Sequence, residues 1–231
     1  MARMNSYLPM LGVTEATVPA IEDSYHRLLQ NLENHFADFP YLLGFQPSVG
    51  DYAMFGPLFA HLGRDPVPLG IMQRQTPKVF RWTERMHAPD LDMLEYGADE
   101  AAYANLDDLE YTLRPLLSQI ADEIVPGLID RLAMLEEHVS RGGIVPGEPV
   151  TDKPHRRIIG TVVTRFMDAE YEGGVQPYPF FLWQRLLDVS GGDEETRALF
   201  ASCGLERLLD ARLPVRVERK DHIEVWGELS D

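Results

Sequence analysis

The sequence predicts an all-α protein: a helical bundle over residues 1–140, then a C-terminal extension over 141–231 with further helices and a small closing β-hairpin. Three observations predict it. Residues 18–36 carry apolar side chains every third or fourth position, which places them along one face of a helix. Ser48 and Asp51 stand three apart immediately before an apolar run, the spacing of a capping box. Residues 106–139 repeat the three/four rhythm over many turns.

The elements follow in order. Tyr7, Leu8, Met10, Leu11 and Val13 read as the tail of a helix with no visible start signal. Val18, Ile21, Tyr25, Leu28, Leu32 and Phe36 form the stripe of the next helix, and Pro19 falls in its first turn, where a missing N–H does no harm. Pro40, Gly44 and Pro47 mark a turn. Ser48 then accepts from the Asp51 amide while the Asp51 carboxylate reaches back to the Ser48 amide, with Asp where Glu is usual. The run 52–62 that this cap opens is apolar on nearly every side, so the expected helix lies in the middle of the core, bent at Gly56-Pro57. Residues 63–68, with Pro66 and Pro68, end it. Thr76-Pro77 caps another helix with Val79, Trp82 and Met86 inward, and Pro89 marks its exit.

Pro115 and Pro126 are expected to kink or divide the long stretch 106–139, and Gly142-Gly143 to stop it. Beyond it, Ile158 to Val163 favour an extended form. Two further helices are expected at 180–189 and 194–209, and 213–226 alternates around a polar tip as a hairpin does.

Composition narrows the function classes. A formal net charge of -16 repels a phosphate backbone, which argues against nucleic acid as a partner. Between Arg85 and Arg114 there is no Lys or Arg, but Asp90, Asp92, Glu95, Asp99, Glu100, Asp107, Asp108 and Glu110 are present, the composition of a solvated surface. Cys203 is the single cysteine, so no intrachain disulfide can form, which fits a reducing cytoplasm. No apolar run is long enough for a bilayer, and Met1-Ala2-Arg3-Met4 is not followed by a signal-peptide core. A soluble, cytoplasmic protein is expected. His61 and Asp65 share a helix spacing without the further ligands a metal needs. Cys203 in Ala201-Ser202-Cys203-Gly204 reads as a packing residue, and Gly142, Gly143 and Gly147 do not make a phosphate loop. No catalytic residue and no metal ligand is assigned.

Tyr41-Leu42-Leu43-Gly44, Pro47-Ser48-Val49-Gly50-Asp51, the apolar run after it and Pro77-Lys78-Val79-Phe80-Arg81-Trp82 together resemble the C-terminal helical domain of glutathione transferases over roughly the first 90 residues. Residues 177–185 are similar, more weakly, to a segment of longer bacterial-type members. In that family the helical domain supplies an apolar wall for the electrophile. A separate thioredoxin-like domain binds glutathione and ionises its thiol. Nothing before residue 18 reads as that second domain.

The resemblance therefore implies a substrate-side domain with glutathione as co-substrate and no tightly bound cofactor. It would be catalytic only with a thioredoxin-like domain supplied upstream or by another chain. It also implies that Tyr7, Met10, Tyr52 and Phe55 line a ligand pocket, while a purely core role for all four stays open. Two other roles fit the same domain: a protein-binding or scaffold module, including a homo-oligomer, and a carrier of apolar small molecules.

Overall fold

The capping box expected at Ser48 and Asp51 is formed in the computed structural model, which describes residues 6–88, 94–97, 101–152, 157–190 and 193–230. Among the described residues the helices are α1 (Val18–His35), α2 (Val49–Phe55), α3 (Pro66–Gln75), α4 (Pro77–His87), α5 (Leu106–Glu123), α6 (Val125–Ser140), α7 (Tyr178–Ser190), α8 (Glu194–Ser202) and α9 (Glu206–Asp210). Two antiparallel hairpins join them, β1 (Gly160–Phe166) with β2 (Ala169–Val175), and β3 (Val215–Lys220) with β4 (Ile223–Leu229). The chain packs as two compact units, Asp23–Leu117 and Met1–Glu22 with Ser118–Asp231, a division that falls elsewhere than residue 140.

In the unit Asp23–Leu117 the Asp51 carboxylate is fully buried and accepts four hydrogen bonds. Oδ2 takes the Ser48 amide at 2.8 Å and the Ser48 hydroxyl at 2.7 Å. Oδ1 takes the Leu42 amide and the Trp82 indole N–H, each at 3.0 Å. One side chain thus joins the 41–44 turn, the start of α2 and the middle of α4. The core around it contains Leu29, Leu32, Phe36, Leu58, Met72 and Val79, with Phe36 stacked on Trp82 at 5.3 Å.

Gly44 explains the turn before the cap. Its φ is +115°, and a Cβ there would lie 2.5 Å from the Ala104 amide nitrogen, so only glycine fits. That close approach lets residues 41–45 bridge to the strand-like segment near Tyr103, through Phe45 N–H to the Ala102 carbonyl and Ala104 N–H to the Leu43 carbonyl.

The expected buried helix is corrected. From Val49 to Leu62 only Asp51 and Leu58 are buried, while Val49 is 86% and Tyr52 63% exposed. An all-round apolar surface permits burial on every side but does not require it, and this unit packs on one side only. At Gly56 the winding changes to a π-type helix through Leu62, beginning where Pro57 withdraws a donor from the α-helical ladder. Residues 63–68 were expected only to end the preceding helix; from Pro66 they open α3 (Pro66–Gln75), because Pro66 and Pro68 fall in its first turn.

Thr76 does not cap α4: its hydroxyl donates to the Met72 carbonyl at 3.2 Å. Glu33 of α1 takes that role, accepting from the Lys78 amide at 2.9 Å and the Val79 amide at 3.1 Å. The expected exit at Pro89 lies outside the described residues.

In the other unit, residues 6–12 are turns and a single 3₁₀ turn (Pro9–Leu11) rather than a helix tail. Pro9 has no N–H to continue a ladder, and Gly12 closes the turn with φ 85°. Pro126 divides the long helical stretch, standing in the first turn of α6, whereas Pro115 remains inside α5. The extended form expected at 158–163 is half of the β1–β2 hairpin, whose second strand contains two glycines and was not expected. The helix expected over 194–209 is two helices, broken at Gly204, which has φ 77°. The closing hairpin is as expected, turning at Asp221 and His222, both left-handed. Gln184 of α7 completes it by accepting from the Val217 amide and donating to the Val217 carbonyl.

Asp51→Asn turns a donor toward donors and is expected to lower stability by about 2–4 kcal/mol. Ser48→Ala removes the hydroxyl alone and is expected to cost about 1–2 kcal/mol. Urea unfolding of both variants checks the size and the order of the losses.

Candidate functional site: an aromatic groove beside α4

The α2 segment and its π-type continuation present Phe55 and Phe59 four residues apart, with ring centroids 4.7 Å apart and nearly parallel. Phe59 stacks in turn on His87, the last residue of α4, at 4.6 Å. The Arg64 guanidinium lies over the Phe59 ring at 4.5 Å, a cation–π contact. Phe80, Thr83, Glu84 and His87 recur at three- and four-residue spacings, so they share one face of α4. Together with Leu69 and Gln73 of α3 these residues enclose a groove of about 460 Å³.

This volume falls in the range of small-molecule sites. Phe59, Leu69, Phe80 and Ala88 give its apolar wall, and Arg64, Gln73, Arg81, Thr83, Glu84 and His87 also line it. The Thr83 hydroxyl is committed to the Phe80 carbonyl at 2.7 Å. Arg81 stands 3.6 Å from Glu84 and 3.5 Å from Glu95. Arg64 is the guanidinium held against the aromatic floor. Such a groove can hold a small apolar molecule against its aromatic and aliphatic side chains, with a cation at one edge.

Behind α4, Arg85 is buried, with Nη2 3.0 Å from the Pro40 carbonyl and Nη1 3.3 Å from Glu95. Its guanidinium lies between Tyr41 and Tyr96, at 6.0 and 5.1 Å from their ring centroids. Burial pushes the phenols of Tyr41 and Tyr96 above their ordinary range, and the neighbouring guanidinium opposes that shift. This cluster ties the 40–41 turn to residues 95–96. It escaped the sequence reading because Arg85 reads as one more surface cation of an amphipathic helix.

His35 at the end of α1 is also fully buried. A carbonyl can only accept, so Nε2, 3.1 Å from the Tyr41 carbonyl, carries the proton. Nδ1 faces the Thr112 hydroxyl at 2.9 Å, whose single proton is shared between it and the Leu109 carbonyl at 3.1 Å. Burial holds its pKa below the ordinary value, outweighing the Tyr41 carbonyl and the carboxylates of Asp51 and Asp38.

The residues expected to line a pocket are placed as follows. Phe55 stacks behind Phe59 and meets Trp82 edge-on at 6.4 Å, and is not itself among the groove's lining residues. Tyr52 is exposed on the face of α2 and is not among the groove's lining residues. Tyr7 is exposed, and Met10 lines a groove of about 330 Å³; both belong to the unit that holds residues 118–231. Ser48 and Asp51 are joined as described. Phe59, unassigned from the sequence, is legible afterwards as an aromatic position four from Phe55; His87, which with Asp90 and Asp92 around Pro89 reads from the sequence as a loop residue, is instead the last residue of α4. Of the acidic stretch, Asp90, Asp92, Asp99 and Glu100 lie outside the described residues. Among the described residues no group of three His, Cys, Asp or Glu is placed to hold a metal ion, and no helix is long and apolar enough to cross a membrane.

Residues 2–90 match the family model for the glutathione S-transferase C-terminal domain. No curated protein and no solved structure matches the chain.

Because neutral His35 is preferred in the folded state, its contribution to stability is intact above about pH 6.5 and is lost as pH falls through the window between that value and the lower folded one. Urea unfolding between pH 7.5 and 5 is expected to show that loss, with a slope of at most about 1.4 kcal/mol per pH unit from this group. The slope shrinks in His35→Gln.

Proposed function

We propose that the chain is the electrophile-binding part of a glutathione transferase-like system and holds small apolar molecules in the groove whose wall includes Phe59 and Phe80. Catalysis of glutathione conjugation then requires a thioredoxin-like domain, encoded with it or supplied by another chain. The observation that supports the reading is the groove lined by Phe59, Leu69, Phe80 and His87, with Arg64 held over the Phe59 ring. The chemistry assigned to this groove is binding. Apolar contact with its wall holds an electrophile, and Arg64 offers a charge to a polar substituent or to negative charge that develops on it. Thiol ionisation, which conjugation needs, is assigned to the thioredoxin-like domain.

An exposed face on α2 supports a second reading, a protein-binding module. Val49 and Tyr52 leave an apolar and an aromatic side chain in solvent on the same short helix. On that reading the same domain type holds a complex together, and Tyr52 belongs to the contact with the partner.

Titration with Nile red, an uncharged apolar dye, is expected to give saturable binding that Phe59→Ala weakens about tenfold and Tyr52→Ser leaves unchanged. Calorimetry with glutathione alone is expected to give no binding in the micromolar to millimolar range. Dye binding indifferent to Phe59→Ala removes the first reading. A stable oligomer dispersed by Tyr52→Ser, without dye binding, establishes the second.

A further inference from the structure

The groove lined by Met10 lies entirely within the unit Met1–Glu22 with Ser118–Asp231, apart from the aromatic groove beside α4. Its apolar wall is made by Met10, Leu11, Ile124, Leu128, Phe166 and Pro179. Leu11 is 62% and Ile124 47% exposed, so this wall leaves hydrocarbon in water. Its polar side is the Arg131 guanidinium, with the Tyr171 phenol and Arg165.

Arg131 is held in place. Nη1 donates to the Gly127 carbonyl at 2.7 Å, and Nη2 donates to the Tyr171 hydroxyl at 3.0 Å. Three glycines make room for this pair. A Cβ at Gly127 would lie 2.7 Å from Arg131 Nη1, one at Gly173 would lie 2.7 Å from the Tyr171 ring, and one at Gly12 would lie 2.6 Å from the same ring. The 3₁₀ turn, α6 and β2 therefore each leave out a side chain where the guanidinium and phenol sit. A long, flexible cation fixed in this way has already lost the rotamer entropy that a ligand would otherwise have to remove.

The charges around the groove set the class of occupant. Two guanidiniums, Arg131 and Arg165, face one carboxylate, Glu123, whose oxygens are each 3.1 Å from the Gln119 amide nitrogen. Arg165 meets the Asp168 carbonyl at 3.4 Å and its carboxylate at 3.9 Å and stands opposite Glu170 across the hairpin, all at exposed positions where water weakens the pairing. Among the lining side chains alone the excess is one positive charge, in a chain whose net charge is -16. We propose that this groove is a binding site for a small amphipathic monocarboxylate, its carboxylate on Arg131 and Arg165 and its hydrocarbon on the Met10–Phe166 wall. A volume of about 330 Å³ suits a medium-length acyl chain or an aryl carboxylate.

Calorimetric titration of the full chain with decanoate and with decanol, both below their aggregation concentrations, tests this. Decanoate is expected to bind about tenfold more tightly than decanol, since the two share a tail and differ in the charge that meets the guanidiniums. Arg165→Met, at an exposed position, is expected to remove most of that difference. Met10→Glu, which brings a carboxylate to the wall, is expected to abolish decanoate binding, whereas Phe59→Ala leaves it unchanged. Equal affinity for decanoate and decanol overturns the proposal, as does decanoate binding that survives Met10→Glu or is lost in Phe59→Ala.

Discussion

The unit that contains α4 depends on one buried carboxylate. Asp51 is fully shielded from water and meets no cation within bonding distance; its charge is carried by four N–H and O–H donors and by the start of α2. A charge removed from water without such donors would cost several kcal/mol. The donors come from residues 42, 48 and 82, so the energetic demand of a single side chain dictates how a turn and two helices meet. The Trp82 ring, once its N–H is committed to Asp51, lies parallel to Phe36 and seals the core below it. The aromatic groove is the outer consequence of the same arrangement, because the α4 residue that reaches Asp51 fixes which face of α4 carries Phe80, Thr83 and His87.

Much of this was legible in the residues, and what was missed has physical causes. The Ser48–Asp51 spacing states a local reciprocal bond, and local bonds survive without tertiary context. The amphipathic stripe of α1 and the alternation of the closing hairpin are equally local. The depth of the helix after Ser48 was misjudged because hydrophobicity reports what burial would tolerate, whereas exposure of Val49 and Tyr52 depends on what packs against them. α3 was missed because prolines end a helix in one register and begin it in another; Pro66 and Pro68 do the second.

Site residues were less legible than elements. Tyr52 and Phe55 were read as a pair because they open one helix at a spacing of three, yet Phe55 finds a ring to pack on in Phe59 while Tyr52 stays in solvent. Arg85 and Arg131 escaped notice for a shared reason. Each sits at a position that an amphipathic pattern assigns to surface, and each is anchored by carbonyl or hydroxyl groups remote in sequence, Pro40 for one and Tyr171 for the other. The glycines at 12, 127 and 173 are equally silent in the sequence, since a glycine that clears space looks like one that merely bends the chain.

The start of α4 belongs in part to α1. Its first free amides, at Lys78 and Val79, close on Glu33, some 45 residues earlier in the chain. A helix that borrows its terminus in this way has no complete hydrogen-bonding solution as an isolated peptide. Its first turn is settled only when the two helices meet, which makes the beginning of the groove's main wall a product of long-range assembly rather than of its own residues.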